Sequence, residues 1–300
     1  MIKETTIIQV VPSLLILWSS YLTRMLADVI LQPAPAITFR PIGGILHFLI
    51  LPGKSSESYT APHDVSRKLT AWIGRPELPP YWSLGFHLCR FGYKTLNNTA
   101  ATLERNRNAN IPVDVQWNDI DYMVRQNDFT YDPARFEGLP QFVEQLHRDG
   151  LHYVIITDPG ISGGETPGTY PPYDDGLRYN VFLKNSSGQL LIGKVWNPKS
   201  TVYPDFTHPN ITDYWRKQIA DFHSQVGFDG LWIDMNEPSN FVDGSIHGCP
   251  NTGIDHPPYL PQDTNPIYHK TACMSAQHYA GLHYNLHNLY GIAEAQITNM

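Results

Sequence analysis

Cysteine is scarce in this 300-residue chain, with only Cys89, Cys249 and Cys273. Three cysteines exclude a scaffold built from disulfides. Charge is scarce as well. Charged residues are 16% of the chain and the formal net charge is −7, where soluble proteins average roughly 25% charged. With no basic block, nucleic acid is excluded as the main partner. Long apolar runs are also missing. Ile7 to Trp18 is interrupted by Gln9, Pro12 and Ser13, and a membrane span needs about 20 apolar residues. No membrane span is expected. Lys3 is offset by Glu4 and no small-residue cleavage site precedes Tyr21 to Met25, so the leading segment does not read as a signal peptide. Residues 1–25 are left unassigned.

What is present is apolar and aromatic. Hydrophobic residues make up 42% and aromatics 12% of the chain, enough to fill a core and too much for disorder. The 25 prolines imply many fixed loops. Aromatic-rich loops with little charge suit a flat, uncharged ligand.

Pattern then gives the organisation. Asp28 to Gln32, Ala36 to Arg40 and Gly44 to Leu51 read as strands between Pro33, Pro35, Pro41 and the Gly43–Gly44 pair. Residues 52–62 are a polar connector. Asp64 to Ile73 reads as a helix capped by Asp64 and stopped by Gly74 and Pro76. A boundary is placed near residue 78, after the stiff linker Pro76 to Pro80. Beyond it, apolar runs alternate with helical patterns. Trp82 to Leu88, Ile111 to Trp117, Tyr153 to Thr157 and Phe228 to Ile233 are the strand-like runs. Arg135 to Arg148, Ile211 to Val226 and His278 to Gln296 are the helical ones. Such alternation predicts an α/β protein with a parallel sheet.

Three of those strands finish on a carboxylate: Asp119, Asp158 and Asp234. In a parallel βα-barrel these ends share the face that carries the active site. Each acid taken alone could be a turn or helix cap. Three together, with Trp117, Trp196 and Trp232 near them, point to a polar pocket with aromatic walls. The connection from Asp158 to Asp234 is one βα unit too long, and its excess holds Pro171–Pro172 and a hairpin. The hairpin arms are Val181 to Lys184 and Gln189 to Gly193, turning at Asn185 to Gly188.

Residues 228–241 read FDGLWIDMNEPSNF. A buried strand ends on Asp234, and Glu237, three residues on, could orient it or share hydrogen bonds with it. This string resembles the nucleophile signature of glycoside hydrolase family 31, the α-glucosidases. GFHLCRFGY at 85–93, DVQWNDIDYM at 114–123, LIGKVW at 191–196 and HYNLHNLYG at 283–291 are similar to the same family in the same order. VILQPAPAITFRPIGGIL at 29–46 resembles the end of its N-terminal β domain.

The resemblance implies the first half of a (β/α)8 TIM barrel over residues 78–300, with an inserted loop and hairpin at about 159–208. The remnant of an N-terminal β-sandwich domain and a linker would occupy 26–77. Asp234 would be the catalytic nucleophile. Asp119 would bind hydroxyls of the terminal glucose, and Ile156, Trp196, Trp232 and Met235 would line its subsite. Asp158 would keep the polar network in place, and Glu237 and Trp117 would support the site. Phe91 would stand at the pocket entrance, where the family can carry Trp. ITDPGIS at 156–162 departs from the usual IVDPAIS; Thr157 adds a hydroxyl to a buried strand and Gly160 loosens the turn. The implied reaction is retaining hydrolysis of terminal α-linked glucose from oligosaccharides or glycogen-like substrates. Two carboxyl groups about 5–5.5 Å apart perform it.

The family's acid/base Asp lies in a WxGD-type segment, and no such string occurs here. Asp243, Asp255 and Asp263 lie in a Gly/Pro/Asn-rich loop and match no acid/base motif. The chain is therefore expected to be a fragment. The alternative is a non-catalytic sugar-binding protein. The resemblance also implies that Cys249 pairs with Cys273, and hence an oxidising, lysosomal or secreted location. Cys89 is expected to be a buried free thiol. Asn97, Asn185 and Asn210 open glycosylation sequons, Asn185 at the hairpin turn and Asn210 where it could cap a helix. His283 and His287 have i, i+4 spacing but no HExxH or third ligand. They are read as helix residues, with no metal and no cofactor.

Overall fold

The computed structural model describes residues 6–11, 14–21, 27–33, 36–41, 45–53, 61–260 and 265–300. The Gly43–Gly44 pair, most of the polar connector and Asp263 lie outside the described residues. The chain begins with five strands: β1 (Thr6–Val11), β2 (Leu14–Tyr21), β3 (Ala27–Gln32), β4 (Ala36–Pro41) and β5 (Ile45–Pro52). β2 is the centre of an antiparallel sheet, between β1 and β5. The segment left unassigned by sequence thus supplies two strands. β3 and β4 form a separate antiparallel pair, with Val29 opposite Phe39. Helix α1 (Ala61–Ile73) lays Val65 and Leu69 against Leu51 of β5.

The second region is a four-stranded parallel sheet. It contains β6 (His87–Leu88), β7 (Val115–Asn118), β8 (His152–Thr157) and, after the insertion described below, a fourth strand. Between them lie α2 (Leu96–Asn108) and α3 (Leu139–Arg148). α3 buries Leu139, Val143 and Leu146 as its period requires, and Gly150 follows it at φ +77°, a conformation open to glycine. α2 was not legible in sequence, because only Thr99 and Leu103 on it are buried and the rest is polar. Thr95 caps it by accepting from the Asn98 amide at 3.2 Å.

The insertion holds β9 (Ile161–Ser162), α4 (Pro171–Tyr179) and β10 (Thr201–Val202), with β9 antiparallel to β10. The expected hairpin is present as a bridge between Lys184 and Leu190 with the Asn185 amide bonded to Gln189 O at 2.7 Å. Helix α5 (Ile211–His223) then buries Tyr214, Trp215 and Phe222. It leads into β11 (Gly230–Ile233), the fourth parallel strand.

The sheet order is β6-β7-β8-β11, each strand beside its predecessor. This consecutive order is that of a βα-barrel; a doubly wound sheet would reverse direction. After a loop come β12 (Gln277–His278) and β13 (Gly281–Leu282), an antiparallel pair, then α6 (His283–Leu286) and α7 (Tyr290–Thr298). The single helix expected over 278–296 is therefore corrected. His278 sits in a β-pair, and helix begins at His283 because Gly281, at φ +147°, turns the chain there.

Candidate active site

Register decides which side chains share the sheet's upper rim. Trp117 pairs with Val154, and Trp232 with Ile156. Two residues past Trp117, Asp119 reaches the level of Ile156 and Trp232. Asp158 and Asp234, each one residue past the Thr157–Ile233 pair, stand side by side two residues higher than Asp119. Parallel strands in this register place all three acids at their C-terminal ends, as the sequence led us to expect.

Their environments differ. Asp119 is half-buried, and its Oδ1 accepts from the Ile120 amide at 2.7 Å, capping a short 3-10 turn at Ile120–Tyr122. The cap reading is thus true of this acid, and the site reading is compatible with it. Burial raises its pKa, the Ile120 amide works against that, and the charges of Asp121 and Asp234 add to the rise. Asp158 is 2% exposed and its Oδ1 has no hydrogen-bond partner among the described residues. Burial, with the charges of Asp234, Asp119 and Glu237, pushes it up to about 7. Asp234 is exposed. The rim therefore holds one open carboxylate beside a buried carboxyl that keeps its proton in mild acid.

The backbone around Asp234 is re-aimed at once. Met235 follows at φ +58°, the left-handed region that a side chain with a Cβ rarely enters. The Glu237–Pro238 peptide is cis. Ser239 N bonds back to Met235 O at 2.9 Å, closing the loop on itself. Glu237 is exposed and makes no hydrogen bond to Asp234 among the described residues. The hydrogen bond that would let it orient Asp234 directly is not formed; its charge is felt at Asp158.

The aromatic walls form from two strands and two loops. Trp117 and Trp232 pack with ring centroids 5.6 Å apart, and Trp117 Nε1 lies 2.9 Å from His87 Nδ1. Trp196 meets Phe241 edge-on at 4.7 Å. Two bonds tie the Trp196 loop to the segment after Asp234: Phe241 N to Lys194 O at 2.7 Å and Lys194 N to Asn240 Oδ1 at 2.9 Å. Phe91 is 60% exposed at the edge. Its loop is held by the Gly92 amide on Asp121 Oδ2 at 2.6 Å. Ile156 is buried, and its carbonyl accepts from Tyr122 Oη at 2.8 Å.

Cys89 departs from its expectation, and two buried acids near the rim, Asp128 and Glu294, were missed by sequence reading. Cys89 is exposed, not buried as expected; partial burial and then the Asp119 charge raise its pKa. Asp128, fully buried, accepts the Asp158 amide at 2.7 Å and is itself pushed well up by burial and by Asp158. Glu294 on α7 is fully buried, and Gly291 brings that helix against Asn236. Burial and the Asp158 charge raise Glu294, with the Asn236 amide pulling the other way. Neither acid has a local motif; each arrives by packing from a distant element.

Cys249 and Cys273 are joined in a disulfide. They also form a group with Asp255 that has metal-ligand spacing, but both sulfurs are consumed by the bond. Asn185 lies on its turn with Oδ1 accepting from the Ser187 and Gln189 amides. Asn97 is exposed on α2. Asn210 stands at the start of α5 without capping it by its side chain; its amide donates to Tyr179 O at 3.1 Å. No helix among the described residues is long and apolar enough to cross a membrane.

This geometry can be set beside known proteins. Mouse lysosomal alpha-glucosidase is 48% identical over 269 residues, covering 89% of this chain and 28% of that protein. Rabbit intestinal sucrase-isomaltase is 45% identical over 278 residues, covering 90% of this chain and 15% of that protein. A crystal structure of glucosidase II alpha subunit, Tris-bound form, superposes with TM-score 0.74 at 24% identity, covering 96% of this chain and 29% of that one. The chain thus spans under a third of the length of each. The family model described as glycosyl hydrolases family 31 TIM-barrel domain matches residues 76–300. A parallel sheet in barrel order, an acid at the end of each of its last three strands and that match together make this chain a member of glycosyl hydrolase family 31.

Proposed function

We propose that this chain supplies the nucleophile and the glucose-holding half of a retaining α-glucosidase. The observation that carries the reading is the contrast at the rim: an exposed Asp234 beside a buried Asp158 raised to about 7. An accessible carboxylate can attack an anomeric carbon, while a neighbour that holds its proton adds no second negative charge beside it. Asp119, fixed by its bond to the Ile120 amide, offers its second oxygen to a sugar hydroxyl. Trp232 and Trp196 present ring faces to a sugar, with Ile156 and Met235 closing the subsite, and such faces favour a partly cationic ring. Phe91 at the edge contacts the next sugar outward. The departing oxygen receives its proton from a second carboxyl group, which we do not assign to any of these residues.

The substrates on this reading are oligosaccharides or glycogen-like chains ending in α-linked glucose. The Cys249–Cys273 disulfide and the sequon at the Asn185 turn support a lysosomal or secreted location. Turnover of a chromogenic α-glucoside by the protein that carries this segment tests the proposal. Asp234→Asn is expected to abolish it. Undiminished turnover in that variant would overturn the reading.

A further inference from the structure

Outside the acid rim, one buried polar chain leads back to the loop of Asp234. It starts at Asp205, after β10. Asp205 Oδ1 accepts from the Thr207 amide at 2.9 Å and the Thr207 hydroxyl at 2.6 Å, and Oδ2 from the Tyr279 amide at 2.5 Å. His278 Nδ1 lies 3.3 Å from Oδ1. His278 Nε2 lies 3.0 Å from His283 Nδ1, with the ring centroids 5.3 Å apart and the ring planes 5° from parallel. His283 Nε2 lies 3.4 Å from Thr271 Oγ1, and Thr271 donates to Pro238 O at 2.9 Å. All four side chains are buried.

The protons of this chain can be counted. A carbonyl only accepts, so the Thr271 proton points at Pro238 O. His283 Nε2 must then carry a proton to bond Thr271 Oγ1. Asp205 already accepts three hydrogen bonds, and His278 Nδ1 must carry a proton to face it. Two lone pairs cannot face each other at 3.0 Å, so a third proton lies between His278 Nε2 and His283 Nδ1. Three ring protons on two imidazoles amount to one positive charge.

We propose that His278 and His283 share three ring protons, and that this singly charged buried pair, anchored on Asp205, positions the Pro238 carbonyl and the loop bearing Asp234 and Glu237. His278, next to Asp205, is the favourable seat for the charge. Other groups face the pair. Tyr290 meets His278 edge-on, His287 meets His283 edge-on, and Lys184 and His208 line the cavity of about 200 Å³ beside His278. Among these Asp205 is the one anion. Burial, then His287 and His278, hold His283 well below the ordinary histidine range, consistent with the charge on His278. Burial alone would raise Asp205, but its bond to His278 and its other donors hold it low. Loss of the third proton opens one link of the chain, and the Pro238 carbonyl loses its fixed donor network.

The positioning role rests on reading Asp234 as part of a glucose site; the proton count does not. Two-bond nitrogen–proton correlation spectra of the ¹⁵N-histidine-labelled chain, without ligand, read the count directly. Both His278 nitrogens are expected protonated, with the His283 proton on Nε2. A neutral His278, or a His283 proton on Nδ1, overturns the proposal. Asp205→Asn is expected to drop the third proton at unchanged pH; its retention counts against the anchor. For positioning, Thr271→Val is expected to weaken binding of a glucose-configured iminosugar by about tenfold, the scale of an unmet buried hydrogen bond. Thr271→Ser should restore it. Equal affinity in the Val variant and wild type overturns the positioning role. A failed glucose site would instead show as absent binding in wild type, with the ring-proton pattern still readable.

Discussion

Thr157 and Gly160 stand on either side of Asp158, and the two residues behave differently. Thr157 is 1% exposed and its hydroxyl has no partner among the described residues. A buried, unpaired hydroxyl costs on the order of 1–3 kcal/mol, so Thr157→Val is expected to stabilise the chain by about 1 kcal/mol, read as a higher urea midpoint at unchanged slope. Sequence showed the extra hydroxyl and its buried strand, and the structure supplies the missing fact that nothing bonds to it. Gly160 goes the other way. The sequence reading expected it to loosen its turn. A Cβ there would lie 2.7 Å from Val195 Cγ2 and 3.3 Å from Thr201 Cγ2. Val195 has taken the space, which only a long-range contact could reveal. The acids themselves were legible because strand ends can be read locally, whereas Asp128 and Glu294 were not, since burial beside Asp158 depends on other elements.

At the scale of elements, long periodic helices such as α3 and α5 could be read with their inward faces, because their apolar positions follow the helical repeat. α2 could not, having few buried residues. β12 and β13 were hidden inside an apparent helix by the apolar positions around His283. A polar tie at the opposite end of the sheet was also invisible. Asp229 Oδ2 accepts the Tyr153 amide and the His147 ring, each at 2.8 Å, and Oδ1 lies 3.3 Å from His152 Nδ1. This joins the entrance of β11 to α3 and β8. Burial alone would raise Asp229; the Tyr153 amide, His147 and His152 outweigh it and hold the carboxyl low. Asp229→Ala leaves the Tyr153 amide unmet and is expected to cost about 1–3 kcal/mol. The check is the urea midpoint, together with iminosugar affinity, which should not change because the tie lies away from the acid rim.

At the scale of the molecule, buried carboxyls dominate the pH response. Asp158 is raised to about 7, from an ordinary value near 4 in the unfolded chain. The folded state therefore holds more protons across that window. Its contribution to stability is complete below about pH 4 and is lost as pH rises through about 7. Asp128 and Glu294, raised for the same reason, act in the same direction. Asp205 and Asp229, held low, act oppositely and lose their contribution as pH falls through the acid range. Asp158→Asn is expected to flatten the decline between about pH 4 and 7 without removing it. Urea midpoints of both proteins at several pH values measure this, and an unchanged slope would mean that Asp158 is not protonated in the fold. Family and barrel order were legible in sequence because ten residues around Asp234 form a specific string and the strands alternate with helices. The sharing of protons among the buried groups was not, because it depends on distances between elements far apart in the chain.

On the proposed function, Asp234 forms the covalent bond to glucose. Peptide mapping by mass spectrometry, after trapping with a 5-fluoro-α-glucosyl fluoride, tests it most directly in the protein that carries this segment. The expected result is a glucosyl ester on the peptide containing Asp234, lost in Asp234→Asn. A stable ester on any other carboxylate, or labelling that persists in that variant, would contradict it.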